Sequence, residues 1–419
     1  MDERAIFAKA AWRLIPFMGL LYVVNFLDRV NVGFAALTMN KDLGLSAHEY
    51  GFGAGLFFFG YFLCEVPSNA IMMKVGARRW IFRIMLSWGL ISMAMALART
   101  PFEFYALRFL LGMAEAGFFP GMILYLTFWF PAAARARFNA AFFMSILIAN
   151  VIGSPLSGAL LGLGGSGSLH GWQWLFLVEG FPACILSFFV LAFLPNGPHD
   201  ARWLDEEEKR IIAAALARDA KPHGTIWTGL RDPRVWVLGV ADIGIIVALY
   251  GIGLWLPQIV KPMGFSNLQT GFVVAAPYAF AMVTTLAWAY SSDVRNERRW
   301  HVVIPALFAS ASLFATALLG ASALSLLTLT AATIGIYAAL VVFWTYPTSI
   351  LGGTAAAASV AFVNSIGNLG GFFGPDLVGK LKDSTGNYSA GMAVLASGLI
   401  ITALVVFLFA RRVRVTPQG

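Results

Sequence analysis

Eight ionisable side chains stand inside stretches that are otherwise apolar: Asp28, Arg29, Glu65, Arg108, Glu115, Glu179, Asp242 and Asp376. A charge held in hydrocarbon costs several kcal/mol unless it is paired or wetted, so each is a candidate for handling something polar. Two kinds of chemistry fit. Carboxylates can take up and release protons, and a guanidinium can grip another carboxylate through two parallel hydrogen bonds. Asp28 and Arg29 are neighbours in Asn25-Phe-Leu-Asp28-Arg29-Val-Asn31. Adjacent residues on a helix diverge by about 100°, so these two must seek partners elsewhere. Arg108 and Glu115 are seven apart, two turns along one helical face. The expected pairs are Arg29 with Glu115 and Asp28 with Arg108. Asp28 and Glu115 are then the proton carriers, and Arg29 and Arg108 the anion ligands. A static set of salt bridges is the alternative, but four charges at mid-depth are costly if they only pack. Glu65, in Cys64-Glu65-Val-Pro67-Ser-Asn69, and Asp242 stay open between proton traffic and structural pairing. Glu179 and Asp376, near span ends, read as structural. All five histidines fall in loops or at span ends, which argues against a histidine relay.

Uncharged polar residues gather in the second half: Tyr250, Trp255 and Gln258, then Trp344, Thr345 and Tyr346 before Pro347, then Asn364, Ser365 and Asn368. Trp255, Gln258, Trp344, Asn364 and Asn368 are candidate substrate contacts. Asn364 and Asn368 share a helical face, as hydroxyl-recognising amides should. Packing is the commoner role for such residues. Pro257 and Pro347, however, free backbone groups that can line a cavity.

These residues are carried by a chain that is 59% hydrophobic and 12% charged, with a mean hydropathy of +0.76. Soluble domains hold about 25% charged residues. The composition is that of an integral membrane protein. Runs of about 20 apolar residues give twelve candidate spans: 14–38, 49–73, 80–98, 102–130, 137–163, 172–194, 234–260, 266–292, 301–321, 323–350, 355–379 and 389–410. The first is followed by eleven more and lacks a small-residue cleavage site, so it reads as a retained helix. Of the 29 Lys and Arg, the alternate connections that include both termini hold most, while the opposite loops hold Lys41, Arg99, Lys261, Lys380 and Lys382. That bias predicts both termini in the cytoplasm, with the cytoplasmic membrane as the location.

The longest polar stretch, 196–232, divides six spans from six and predicts two bundles, 1–195 and 233–419. Within it, Asp205 and Glu208 resemble a capping box opening an amphipathic helix through Ala217. Ala77-Arg78-Arg79-Trp80 recurs as Glu297-Arg298-Arg299-Trp300, 220 residues later and at the same place in each half. Two parallel repeats follow, an arrangement typical of secondary transporters. The expected fold is therefore an all-α membrane protein of twelve helices in two pseudo-symmetric six-helix bundles. The pairs Gly117/Gly121, Gly158/Gly162 and Gly370/Gly374 imply close helix contacts.

Other functions find little support. Metalloprotease, nucleotide-binding and nucleophile-elbow motifs are missing, as is any Cys/His ligand spacing. Neither an enzyme, a self-powered pump nor a cofactor site is expected. The net charge of +8 arises from topology, and no basic cluster is interleaved with aromatics as a nucleic-acid platform requires. Cys64 and Cys184 read as small core residues.

Three segments carry a resemblance: Asn25-Phe-Leu-Asp28-Arg29-Val-Asn31, Arg108-Phe-Leu-Leu-Gly112-Met-Ala-Glu115-Ala-Gly117-Phe-Phe-Pro120-Gly121, and Asn364-Ser-Ile-Gly367-Asn368-Leu-Gly370-Gly371-Phe. With the loops Gly76-Ala-Arg78-Arg79 and Asp293-Val-Arg295-Asn-Glu297-Arg298-Arg299, the chain resembles the major facilitator superfamily over nearly its whole length. Within that superfamily it is similar to the anion:cation symporters of the tartrate, hexonate and hydroxyphenylacetate type. The resemblance implies alternating access around a midplane site, with proton symport of a carboxylate. It implies that Asp28 and Glu115 carry protons, that Arg29 senses substrate, that Tyr61 contacts it, and that Arg78, Arg79, Asp293, Arg298 and Arg299 gate the cytoplasmic side. Lys74 stands where the first gating loop usually has Asp, a departure from the helix-two charge lock. Phe26 replaces a Tyr frequent among sugar-acid members, and the seventh span lacks the arginine of the vesicular glutamate branch. The function expected is uptake of a small organic anion with protons, by a monomer in the lipid bilayer. The runner-up is a proton-exchanging drug or metabolite exporter, suggested by Gly153-Ser-Pro155 with Gly158.

Overall fold

The computed structural model describes residues 2–165, 168–219, 231–320, 322–350 and 353–412, with side chains described outside 132–141, 219, 348–350, 353–358 and 410–412. Among the described residues all regular structure is helical. The chain runs through α1 (Glu3–Leu43), α2 (Ala47–Val75), α3 (Ala77–Ala94), α4 (Pro101–Glu115), α5 (Phe118–Thr127), α6 (Ala132–Leu161), α7 (Gly171–Phe193) and α8 (Glu206–Asp219). It continues with α9 (Pro233–Val260), α10 (Asn267–Val294), α11 (Arg299–Leu319), α12 (Ala323–Phe343), α13 (Thr345–Ile350), α14 (Gly353–Thr385) and α15 (Ser389–Arg412). With α4 and α5 taken as one path, and α12 extended to Pro347, eleven spans among the described residues are long and apolar enough to cross a membrane. The 33-residue α14 lies beside α9 and α2.

Helix ends are set by local chemistry. Ser46 and Glu49 form a capping box at α2, and Ser266 and Gln269 form the same box at α10, at the 220-residue offset already seen in the Arg-Arg-Trp segments. Each box satisfies two of the backbone donors that a helix start leaves over. Thr100 caps α4 with Pro101 behind it, and Asp232 caps α9 with Pro233 behind it; proline suits the first turn because its missing N–H would be unpaired there anyway.

The continuous 102–130 span is corrected. The helix breaks after Glu115: Ala116 is extended and Gly117 takes φ +86°, a left-handed conformation that glycine adopts without strain. A β-carbon on Gly117 would also lie 2.2 Å from Ser68 Oγ. The 323–350 span likewise divides at Trp344, ahead of Pro347.

The first half is held by α3 on α7, α2 on α4 and α1 on α6; the second by α9 on α14 and by α11 on α12 and α15. Two long seams, α2 with α14 and α6 with α10, join the halves, and α1 meets α9 between them. The end of the bundle away from the termini is bridged between the halves. There Asp383 of α14 accepts from the backbone N–H groups of Ala47 and His48 at 3.2 and 2.8 Å. His48 Nε2 lies 3.1 Å from Asp376, which also pairs with Lys380. Tyr50 donates to the Leu254 carbonyl at 3.1 Å. Asp376 is thus a seam residue.

At the opposite end, Glu208 and Asp205 form the expected capping box of α8, with N–H to oxygen distances of 2.7 and 3.0 Å. Lys9 reaches Glu208 at 2.7 Å, and Arg218 reaches Glu3 at the same distance, so the linker helix docks on the start of α1. The Lys9 ammonium holds the Glu208 carboxyl below its usual range. Residues 220–230 of the 196–232 linker, including Lys221, and the side chains of Arg135, Arg137, Arg411, Arg412 and Arg414 lie outside the described residues or side chains.

Candidate functional site

Arg29 sits at the centre of the molecule and is 5% exposed. Its Nε donates to Glu115 Oε1 at 3.0 Å, and Nη2 reaches the same oxygen. The expected Arg29–Glu115 pair is therefore formed. The helix break explains the position of Glu115, which is the last residue of α4 and is fully buried, with Oε2 free of hydrogen-bond partners among the described residues. The third arm of the guanidinium, Nη1, donates to Tyr250 Oη of α9 at 2.9 Å. One cation thus touches both halves. Aromatic faces complete its surroundings: the guanidinium carbon is 5.2 Å from the Tyr61 ring, 5.3 Å from Phe57 and 5.8 Å from Phe26, distances at which a desolvated cation is stabilised by ring quadrupoles.

Asp28 does not pair with Arg108. It turns away from Arg29, as helix geometry requires, and meets α3 instead of α4: Trp88 Nε1 donates to it at 2.9 Å and Ser92 Oγ at 2.7 Å. Trp88 and Ser92 are four apart on one face. That spacing was the signal available in the sequence. Arg108 donates to the Ala54 carbonyl of α2 at 3.1 Å and lies 4.9 Å from the Phe57 ring. Its Nε and Nη1 have no hydrogen-bond partner among the described residues. Phe57 therefore carries two guanidiniums, Arg29 and Arg108, and only the first has a carboxylate.

A second buried carboxylate crosses the α2–α14 seam. Glu65 is fully buried and accepts from Asn364 Nδ2 and Ser365 Oγ, both at 2.7 Å. Asn368 lies within reach of the same carboxylate. The two amides expected to recognise substrate are thus gathered on one face, around a carboxylate of the protein itself. Asp242, also buried, presses on Gly367 between those amides; a β-carbon there would lie 1.9 Å from Asp242 Oδ2, so only glycine allows α14 this close to α9. Glu179 accepts from Ser157 at 2.6 Å inside the first half.

Other candidates lie elsewhere. Trp255 is fully buried in the distal seam, its Nε1 3.3 Å from the Pro375 carbonyl and its ring packed edge-on against Tyr50. Gln258 meets Asn40 at 3.4 Å, eight residues beyond Tyr250, or about 12 Å along α9. Trp344 packs near Phe143, with ring centres 6.2 Å apart, at the α12 break. None of these three touches Arg29 through a hydrogen bond. Of the loop residues, Arg298 pairs with Asp293 at 2.5 Å and with Ser292 at 2.8 Å, while Arg299 lies 3.9 Å over Phe407. Glu297 is pushed up by partial burial, but the N–H groups of Trp300 and His301 and the His301 ring outweigh this and hold it below its usual range. In the first half Arg78 contributes only its backbone N–H, to Asn196, and Arg79 is exposed without an ion pair among the described residues. Tyr250 is the contact whose weight the sequence conceals: one hydroxyl among many polar residues of the second half becomes an Arg29 ligand only when the halves meet.

Comparison with known proteins agrees with this architecture. A relative from Agrobacterium vitis named "Putative tartrate transporter" is 49% identical over 416 residues, covering 98% of this chain and 95% of that one. A "Quinolone resistance transporter" of Acinetobacter baumannii is 41% identical, covering 96% and 95%. In fold, a bacterial homologue of the human lysosomal transporter Spinster, solved in an inward-facing and unoccupied conformation, superposes with a TM-score of 0.77 at 18% identity, covering 98% of both chains. A sequence profile of the Major Facilitator Superfamily matches residues 18–375. With a profile match over most of its length, a relative 49% identical over nearly the whole chain and helices long and apolar enough to cross a membrane, this chain belongs to the Major Facilitator Superfamily and is a multi-pass membrane transporter.

Proposed function

We propose that the chain is a proton-coupled symporter that takes up a small organic anion. The observation that carries this reading is the buried Arg29, bound to Glu115 in one half and to Tyr250 in the other. Protonating Glu115 removes its claim on the guanidinium, which then accepts the substrate carboxylate in its place. Substrate and proton therefore favour the same rearrangement, which is the condition for coupling. Asp28, held by Trp88 and Ser92 without a cation, is the second proton carrier. Arg108, with two donors unspent, offers a ligand for a second carboxylate on the far side of Phe57, which suits a small dicarboxylate such as tartrate. The tartrate transporter relative supports that class. The halves, residues 1–195 and 233–419, rock about the centre while the 196–232 linker joins them. The distal seam of Tyr50, His48, Asp376 and Asp383 opens to load, with Arg298–Asp293 holding the other side. Both termini lie in the cytoplasm, as the positive charge bias requires.

Purified protein in liposomes, with an imposed inward proton gradient and a panel of labelled tartrate, hexonates and aromatic carboxylates, tests this. Accumulation of one acid that collapses with a protonophore is expected. Proton-driven movement of cationic compounds, with no acid taken up, would replace symport by the exporter reading that the quinolone-resistance relative favours.

A further inference from the structure

The outer flank of the first half carries a groove of about 310 Å³ between α2, α3 and α4. Ser68 and Ile71 of α2 and Leu110 of α4 line it, opposite Trp80, Arg83 and Ser87 of α3. The helices beside it expose Leu63, Val66, Met73 and Leu90, the surface of a span that faces acyl chains. Arg83 is out of keeping with that surface. Its Nη1 donates to the Ala114 carbonyl at 3.3 Å, its guanidinium lies 4.2 Å over the Trp80 ring, and no carboxylate pairs with it among the described residues. A guanidinium has five N–H donors, so most are not spent on protein.

Depth sharpens the point. Arg83 lies six residues into α3, about 9 Å along the helix, and long helical side chains lean towards the helix start. That start carries exposed Arg78 and Arg79, just after exposed Lys74 in the last turn of α2. An anion attached to an apolar chain fits both parts: the charge sits on Arg83 at the basic end of the helices and the chain lies along the groove. Trp80, which donates to Ser68 at 3.0 Å, keeps the ring face in place beneath the guanidinium.

We propose that this groove binds an anionic phospholipid, with the phosphodiester on Arg83 and an acyl chain along Ile71 and Leu110. A zwitterionic lipid would bring its own ammonium to a basic end of the helix pair, and a free phosphate would leave the apolar channel unfilled.

The full chain, purified in detergent, is titrated with phosphatidylglycerol or phosphatidylcholine and its bound lipid counted by native mass spectrometry, with inorganic phosphate as competitor. Saturable retention of phosphatidylglycerol is expected. Arg83→Gln weakens it about tenfold, the loss of one charge-assisted contact. Ser87→Phe fills the groove, leaves the charge in place and produces a similar loss, and it carries the test should Arg83→Gln fail to fold. Equal retention of phosphatidylcholine, undiminished binding by the folded variants, or displacement of the lipid by equimolar phosphate would each overturn the proposal.

Discussion

Replacing Arg29 by lysine keeps the charge and removes the fork. The guanidinium makes two contacts to Glu115 and one to Tyr250 from three different nitrogens. An ammonium is a point charge on a flexible stem and cannot reach all three in that geometry. A hydrogen bond to a charged group contributes about 1.5–3 kcal/mol net. In the proposed substrate complex the same fork holds the substrate carboxylate, and lysine, which keeps the charge, forfeits about one net bond of that pair. That corresponds to substrate affinity lower by roughly 10- to 150-fold. The assay is equilibrium binding of the transported acid to purified protein at fixed pH, with counterflow in liposomes alongside. Thermal stability supplies the control: Arg29→Lys keeps a cation beside Glu115 and should lose no more than about one such bond, about 1.5–3 kcal/mol, whereas Arg29→Met strands a buried Glu115 and should lose about 3–5 kcal/mol. A folded Arg29→Lys protein that binds substrate within threefold of the wild type would refute the reasoning and leave the arginine as a structural tie between the halves.

Glu115→Gln should abolish proton-driven accumulation while substrate exchange persists in part; accumulation at the wild-type level would remove Glu115 from coupling. Arg108 is buried without a carboxylate, so Arg108→Met should raise the melting temperature by relieving an uncompensated charge while transport of a dicarboxylate falls at least tenfold; a variant equally stable and fully active would show that neither cost nor role was assigned correctly. Gly117→Ala places a β-carbon on Ser68 in a backbone conformation alanine resists, and a loss of about 1–3 kcal/mol should appear as a lower melting temperature and a lower yield of monodisperse protein. Glu208 has a carboxyl held below its ordinary value by Lys9, so docking of α8 on α1 is fully present above that ordinary value, near 4.5, and is lost as pH falls through the lower folded value. Proteolysis of the linker after brief acid exposure should report it, and Lys9→Met should move the onset to higher pH.

Much of the architecture follows from patterns local in the chain. The apolar spans, the polar divide before α9 and the capping boxes at Ser46, Asp205 and Ser266 depend on residues within a few positions of one another. Arg29 and Glu115 were also legible as a pair, because a buried cation needs an anion and both stand at mid-depth. What failed was the second pair. Asp28 could have met any neighbour of α1; the four-residue spacing of Trp88 and Ser92 marks a polar face on α3, but the choice of α3 over α4 rests on the rotation of α1 about its own axis, which that spacing does not record. The break at Glu115 has a local cause in Gly117, yet its purpose, turning a carboxylate onto Arg29, exists only once α1 and α4 are packed. The same holds for Glu65 with Asn364, and for Tyr250 with Arg29: these partners are hundreds of residues apart and belong to different halves. Local composition and spacing set where the chain is apolar, where its helices begin and which charges must be buried. Which of those charges meet is a product of the packed bundle, because partner choice among packed helices depends on azimuth and tilt, and these are set by the packing of all the helices together.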